Sequence, residues 1–181
     1  AFNALTSDQL AAMTTDQIAG LDSADVAALT PAAVVGLNSA QLNALSSSAF
    51  TALSTADLAA LTSEAIAGLT TAQIGTLSTL EIQALNTDIA NLSTAAFNAM
   101  TSDQLAAMTT AQIAGLDSSD VEALTSNALT GLRSDQFSAL TSEAFTGMNT
   151  GDLSALTSEA IAGLTTAQIG TLDSGDIQAL N

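Results

Sequence analysis

The chain contains no cysteine, histidine, lysine, tryptophan or tyrosine, and Arg133 is its single basic residue. Without cysteine it can form no disulfide bond, and without histidine or lysine nothing can activate a serine or threonine hydroxyl as a nucleophile. The net charge of −17 argues against binding to nucleic-acid phosphates or to an anionic membrane surface. No apolar run reaches the roughly 18 residues of a membrane span. We therefore expect no enzyme, no nucleic-acid partner and no membrane insertion.

What the chain does contain is one octapeptide, repeated end to end. Thr70–Leu77 is a representative copy, and its eight positions are called a to h. Positions a and b hold Thr, Ser, Asp or Asn, e is a branched or aromatic apolar residue, and h is Leu or Met. Octads fill residues 6–85 and 93–180, and a single seven-residue unit lies between them at 86–92. All methionines fall at h and all phenylalanines at e, so these two columns predict the core.

Neither a continuous helix nor a plain strand fits this pattern. Eight residues of α-helix would rotate the e and h stripe by about 80° per octad, so that no face would stay apolar. In a strand, e and h would point to opposite faces because they are three residues apart. A short helix in every octad, ending before each a and b pair, lets e and h face the core in every unit.

Capping signals support this interpretation. Position a is an N-cap residue type, and d is often Gln or Glu, which completes a capping box. The only proline, Pro31, stands at b, the first helical position, where its missing N–H is no loss. All acids except Glu122 lie at or next to a helix start. The prediction is an all-α, right-handed solenoid of very short helices, one per octad, with e and h inward and the acidic helix starts outward. A β-solenoid is the alternative.

The domain prediction is a single tandem array over residues 1–181. Residues 96–181 repeat residues 1–86 at an offset of 95, which gives a super-repeat with copies at 6–100 and 101–181, the second incomplete. Because the array starts and stops within an octad, we expect a fragment of a longer protein. The short unit lacks one residue beside a cap, so we expect a local defect near residues 86–89 that keeps Ile89 and Leu92 in the core.

Paired carboxylates are the only candidates for site chemistry. They stand at a and d of three octads: Asp22 and Asp25, Asp117 and Asp120, Asp173 and Asp176. Acid–base catalysis needs two carboxyl groups with different pKa values, and calcium needs six to eight converging oxygens. We interpret the pairs as helix caps at a solvated edge. No catalytic, cofactor-binding or metal residue is predicted, and weak surface binding of calcium stays open.

The motif Leu-Thr-Thr-Ala-Gln-Ile-x-x-Leu, in Leu69–Leu77 and Leu164–Leu172 and with Met first in Met108–Leu116, resembles Thr/Gln/Leu-rich repeats of very large secreted or surface proteins of proteobacteria. This resemblance implies an extracellular or cell-surface location and an adhesin-like or matrix context. Together with the regular array, it predicts a structural segment of a filament, stalk or matrix scaffold. The expected partners are like chains or a continuation of the same array. A calcium- or ligand-binding surface adhesion module is the alternative.

Overall fold

The computed structural model describes residues 2–180, and every octad within them forms one short α-helix. The all-α solenoid is confirmed, and the β-solenoid alternative is wrong because no described residue is in a strand. The first compact unit, Ala1–Ala96, holds the 3-10 helices Phe2–Ala4 and Asn86–Asn91 and the helices α1 (Ser7–Ala11), α2 (Thr15–Ala19), α3 (Ser23–Ala27), α4 (Pro31–Val34), α5 (Ser39–Ala44), α6 (Ser47–Phe50), α7 (Thr55–Ala60), α8 (Ser63–Ile66), α9 (Thr71–Thr76) and α10 (Thr79–Ala84).

The second compact unit, Phe97–Asn181, continues the same pattern, and α11 (Thr94–Asn98) includes the boundary between the units. Its helices are α12 (Ser102–Ala107), α13 (Thr110–Ala114), α14 (Ser118–Ala123), α15 (Ser126–Leu129), α16 (Ser134–Ala139), α17 (Ser142–Phe145), α18 (Thr150–Ala155), α19 (Ser158–Ala162), α20 (Thr166–Ile169) and α21 (Ser174–Ala179). No described helix is long and apolar enough to cross a membrane.

Helices with Gln, Glu or Asp at d start at a reciprocal cap, whereas those with Ala at d, such as α4 and α8, have only the bond to the cap side chain. At α9, the Gln73 backbone amide donates to Thr70 Oγ1 over 3.2 Å, and the Thr70 amide donates to Gln73 Oε1 over 2.9 Å. Both bonds satisfy amides that a helix start otherwise leaves without acceptors. Pro31 is the first helical residue of α4, behind the cap Thr30. The predicted capping boxes and the predicted place of the proline are confirmed.

The e and h columns form the core, as predicted. Ile74 at e is fully buried and Leu77 at h nearly so, and the Leu77 amide closes the helix on the Ile74 carbonyl at 3.1 Å. Polar residues at the following a and b positions then favour a new cap over further helix. The apolar columns and the cap residues thus set the start and end of each helix.

Helices three octads apart pack together, for example α1 with α4 and α2 with α5. The C-terminal end of α4 lies against the start of α1, since Gly36 is next to Ser7. The start of α5 lies against the end of α1, because Gln41 donates to the Leu10 carbonyl, 31 residues earlier. The junction of α4 and α5 therefore covers α1, and one turn takes more than three and fewer than four octads.

The stacking has a direction, which the first and last turns reveal. In the first turn the d residues Gln9 and Gln17 are exposed, whereas the e residues Leu10 and Ile18 are buried. In the last turn the e residue Ile177 is 51% exposed. Position d therefore faces the preceding turn, and position e faces the following one.

The seven-residue unit is a local defect, as predicted. It forms the 3-10 helix Asn86–Asn91 in place of an α-helix. Asn86 has φ of 51°, and it is the only non-glycine residue with positive φ within residues 2–180. Asparagine tolerates this left-handed conformation better than most residues. Ile89 and Leu92 stay buried, so the missing residue is absorbed by the backbone and the core is kept.

One prediction about the acids is wrong. The acids at a and c are exposed, but those at d are buried or half-buried. Asp57, Asp120 and Asp152 are buried, and Asp25, Glu81 and Asp176 are half-buried. The physical reason is that d packs onto the preceding turn, so a residue there caps its own helix and contacts another.

Candidate functional site: the interface between successive turns

Six glutamines at d are buried: Gln41, Gln73, Gln104, Gln112, Gln136 and Gln168. The contacts of four of them join a turn to the one before it, and we call these the bridging glutamines: Gln41, Gln73, Gln136 and Gln168. Each lies at the start of a helix, where Oε1 accepts the backbone N–H of its own cap residue. Nε2 points the other way, into the preceding turn. In α16, Gln136 Nε2 donates to the carbonyls of Leu105 and Met108 at 3.0 and 2.7 Å. Leu105 and Met108 stand at positions e and h of the octad that forms α12.

The same geometry recurs at the other three. Gln41 donates to the carbonyl of Met13 at 2.7 Å, and Gln73 donates to that of Leu42 at 2.8 Å. Gln168 donates to those of Phe137 and Leu140 at 2.7 and 2.9 Å. Glutamine suits this place because its amide carries an acceptor and two donors on a single side chain. It satisfies a helix start in one turn and a helix end in another.

Glycine at g permits the closest approach between turns. A Cβ added at Gly68 would lie 2.6 Å from Ser39 Cα and 2.7 Å from Ser39 C, and closer still to its carbonyl oxygen. Gly131 stands in the same relation to Ser102. Glycine is required here by contact with another backbone, since none of the described glycines has positive φ.

Aspartate at d uses a different contact. Asp152 is buried, its Oδ2 accepts the Asn149 amide at 3.0 Å, and its Oδ1 accepts the hydroxyl of Ser126 at 2.6 Å. In the first super-repeat, Asp57 is the equivalent of Asp152. The equivalent of Ser126 is Pro31, which has no hydroxyl group. Among the described residues, Asp57 Oδ1 is the one buried side-chain oxygen without a hydrogen-bond partner, and Asp57 is only 4% exposed.

We predict that Pro31→Ser stabilises the protein by about 1 kcal/mol. The new hydroxyl would donate to Asp57 Oδ1, worth about 1.5–3 kcal/mol for a charged acceptor, against about 0.4–1 kcal/mol lost with the rigid proline. Chemical denaturation measures the difference. As the converse, Ser126→Ala removes the donor to Asp152 and should destabilise by about 1–3 kcal/mol. If Pro31→Ser destabilised the protein, a hydroxyl group at this position would not form the expected hydrogen bond to Asp57 Oδ1.

Asp120 adds a pH dependence. Burial raises the pKa of its carboxyl group, the hydrogen bond from the Asp117 amide opposes this, and the negative charge of Asp117 adds to it. A raised pKa in the folded state means that the folded protein binds the proton more tightly than the unfolded chain. The resulting stability is fully present below the unfolded value of 3.8 and is lost as pH rises through the folded pKa.

We therefore predict that the melting temperature rises when pH is lowered from 7 toward about 4.5, and that Asp120→Asn reduces the rise. Asn keeps an oxygen for the cap but does not titrate. The pKa of Asp135 is shifted the other way, since the hydrogen bond from Arg133 lowers it. The carboxyl group of Asp135 is exposed. Thermal scans of both proteins across this pH range measure the effect. Identical pH profiles would rule out a contribution from Asp120.

The three carboxylate pairs form capping boxes, as predicted, but their edge is not solvated throughout, because Asp120 is buried. Asp117 Oδ1 accepts the Asp120 amide at 2.9 Å, and Asp120 Oδ2 accepts the Asp117 amide at 3.0 Å. Reciprocal contacts of the same kind join Asp22 with Asp25, and Asp173 with Asp176. Within residues 2–180 no group of three or more acidic side chains is placed to hold a metal ion.

Two further surface features lie where successive turns meet. The guanidinium of Arg133 donates to the carbonyl of Ala106 in the preceding turn and pairs with Asp135 at 3.1 Å. An open depression of about 460 Å³ lies between α5 and α8, and its lining includes Ser39, Asn43 and Gly68. No titratable group lines it, so it offers no acid–base chemistry.

The bridging role of d was missed from the sequence, although a signal was present. Glutamine returns at d after four octads each time, or after three octads and the heptad: Gln9, Gln41, Gln73, Gln104, Gln136 and Gln168. This spacing of about four octads is the distance along the chain from one helix to the helix that covers it in the next turn. A single octad therefore does not reveal it.

Five stretches of the chain match the ALTTAQ repeat: residues 18–55, 50–87, 82–118, 113–150 and 145–181. The starting residues of these stretches are 32 or 31 residues apart, which is also the spacing of the d glutamines. One family repeat therefore spans the same length of chain as the step from one d glutamine to the next. No curated protein matches the chain significantly. Because the five matches together extend over residues 18–181, the chain belongs to the ALTTAQ repeat family.

Proposed function

We propose that the chain is a structural repeat segment of an extracellular filament, stalk or matrix scaffold, without catalytic activity or a bound cofactor. One observation carries the proposal. The repeating positions of the octad have structural roles: a and d cap the helix, d bridges to the preceding turn, e and h fill the core, and the acids at c face solvent. A scaffold needs regular length, and this interface supplies it by repetition.

The stability of such an array supports the same role. A helix of four to six residues is far below the roughly 12–15 residues that make an isolated helix even marginal in water. Each octad therefore depends on the turns before and after it. Each added octad makes the same contacts with the neighbouring turns, so the array can be lengthened without any other kind of interface. The resemblance to repeats of secreted and surface proteins of proteobacteria supports an extracellular, adhesin-like setting.

The proposal is tested by immunogold labelling with antibodies against the 181-residue chain on intact and permeabilised cells of the source organism. Label on the surface or on extracellular material of intact cells is expected. Label that appears only after permeabilisation would overturn the proposal. Titration calorimetry with calcium tests the alternative, a calcium-binding adhesion module. Saturable binding tighter than about 10⁻³ M would favour that alternative, because extracellular calcium modules bind in this range.

A further inference from the structure

The sequence Asn-x-Ser/Thr, in which x is not proline, occurs once within residues 1–181, at Asn91-Leu92-Ser93. This motif is the acceptor for N-linked glycosylation, which attaches a sugar to the side-chain amide of the asparagine. Such a short motif also arises by chance in a chain rich in serine and threonine. Its place in the fold therefore decides whether a transferase can use it.

Asn91 stands in a column that otherwise holds only small residues. It is the g residue of the seven-residue unit, whereas g is alanine, glycine or threonine in every octad. Contact between turns keeps the column small, since a Cβ at Gly68 would lie 2.6 Å from Ser39 Cα. The residue two places after g is the cap residue of the next octad, so an asparagine at g completes the motif before Ser93. This combination occurs only at the seven-residue unit.

The side chain of Asn91 is exposed, and its hydrogen bond stays within the unit. Asn91 Nδ2 donates to the Asp88 carbonyl at 3.1 Å, inside the 3-10 helix Asn86–Asn91. By contrast, Asn98 Nδ2 donates to the Ala123 carbonyl, 25 residues later. A sugar on Asn91 Nδ2 therefore displaces no hydrogen bond between turns and leaves the caps and the core in place.

The backbone places both reactive residues of the motif on the solvent side. Leu92 is extended, with φ of −60° and ψ of 148°. Alternate side chains of extended backbone point to the same side, and accordingly Asn91 and Ser93 are exposed while Leu92 fills the core. The preceding 3-10 helix has weaker hydrogen-bond geometry than an α-helix, and it begins at Asn86 with φ of 51°. Segments of this kind open locally at a lower free energy than regular helices, which lets an enzyme bind the acceptor.

We propose that Asn91 is a site of N-linked glycosylation. The co-reactant is a sugar whose anomeric carbon carries a phosphate leaving group, bound by a transferase. The bond between this carbon and the phosphate oxygen breaks, and a bond from the carbon to Asn91 Nδ2 forms. One Nδ2 proton passes to a base of the transferase, the phosphate leaves as an anion, and no oxidant or reductant is needed. The inference rests on the proposed extracellular function, because N-linked sugars are typical of secreted proteins.

Peptide mass spectrometry of the protein from surface and cytoplasmic fractions of the source organism tests the inference. Electron-transfer dissociation keeps sugars attached and locates them on single residues. We expect a sugar on Asn91, and none on Asn98 or Asn127, which are exposed but lack the motif. A single sugar indicates a nucleotide-linked donor, and a preassembled oligosaccharide indicates a lipid-linked donor. Unmodified Asn91 overturns the inference in whichever fraction the protein is found, and the fraction itself separately tests the proposed location.

Two substitutions of Ser93 separate the motif from the helix cap. Ser93 Oγ accepts the Ala96 amide at 3.3 Å at the start of α11. Ser93→Asn keeps a cap oxygen, as Asn149 does for α18, but removes the hydroxyl group of the motif, so the sugar should be lost. Ser93→Thr keeps the hydroxyl group and the cap, and the sugar should remain. Persistence of the sugar in Ser93→Asn, or its loss in Ser93→Thr, contradicts the proposal.

Ala40→Ser tests the role of the seven-residue unit, because it places the same motif in a regular octad. Residues 38–40 then read Asn-Ser-Ser. Asn38 is exposed, but it caps α5, since its Oδ1 accepts the Gln41 amide at 3.0 Å. We expect Asn38 to carry less sugar than Asn91 of the same molecule. Equal or greater modification of Asn38 contradicts the role given to the 3-10 helix.

Discussion

Gln136→Glu should lower the free energy of unfolding by about 3–5 kcal/mol, the cost of an unpaired buried charge. Gln136 is fully buried, and its Nε2 donates to the carbonyls of Leu105 and Met108. Glutamate has nearly the same shape and keeps the oxygen that accepts the Arg133 amide at 2.9 Å. The substitution therefore preserves the helix cap and replaces only the bridging donor, with an anion that faces two carbonyl oxygens. Urea denaturation at pH 7 measures the loss.

The matched control is Gln9→Glu, which makes the same chemical change at the same octad position. Gln9 caps α1 in the same way but is exposed, because no described turn precedes it. Its effect on stability should stay within about 0.5 kcal/mol, as for an ordinary surface substitution. Equal effects at the two positions would mean that the glutamines act as caps alone and that bridging contributes nothing.

Gly68→Ala should destabilise the protein by about 1–3 kcal/mol, the usual cost of forcing an extra methyl group into a packed contact. Its new Cβ would overlap the main chain of Ser39 in α5, whose Cα and C atoms would lie 2.6 and 2.7 Å away. Backbone cannot rotate out of the way as a side chain can, so α8 must shift away from α5. Thermal and chemical denaturation should both report the loss.

Gly75→Ala is the control, seven residues further along and of opposite expected sign. Gly75 lies inside α9, and a Cβ there meets nothing within 4 Å. Replacing a glycine inside a helix by alanine usually stabilises by about 0.5–1 kcal/mol. If both substitutions stabilised the protein, the turns would not approach as closely as the contact of Gly68 with Ser39 requires.

Much of the fold follows from the octad itself, because helix starts, helix ends and core columns depend on residues close in sequence. Thr70 and Gln73 form their capping box within four residues. Pro31 suits the first helical position whatever the helix packs against. The strain at Asn86 follows in the same way from one missing residue beside a cap. These features needed no knowledge of how the turns stack.

The interface between turns could not be predicted from the octad, because it depends on the number of octads in each turn. Gln9 and Gln41 form the same kind of capping box, with Thr6 and Asn38, yet Gln9 is exposed and Gln41 is buried on Leu10 and Met13. The difference is the presence of a preceding turn, which no single octad encodes. For the same reason the burial of Asp120, and with it the raised pKa, was missed.

The central claim, that d side chains bridge successive turns, is tested most directly by solution NMR of the glutamine side-chain amides. The Gln136 Nε2 signals can be identified by their loss in Gln136→Ala. The account predicts slow hydrogen exchange for these protons and nuclear Overhauser effects to Leu105 and Met108, 31 and 28 residues earlier. Fast exchange, or effects confined to residues of the same octad, would contradict it.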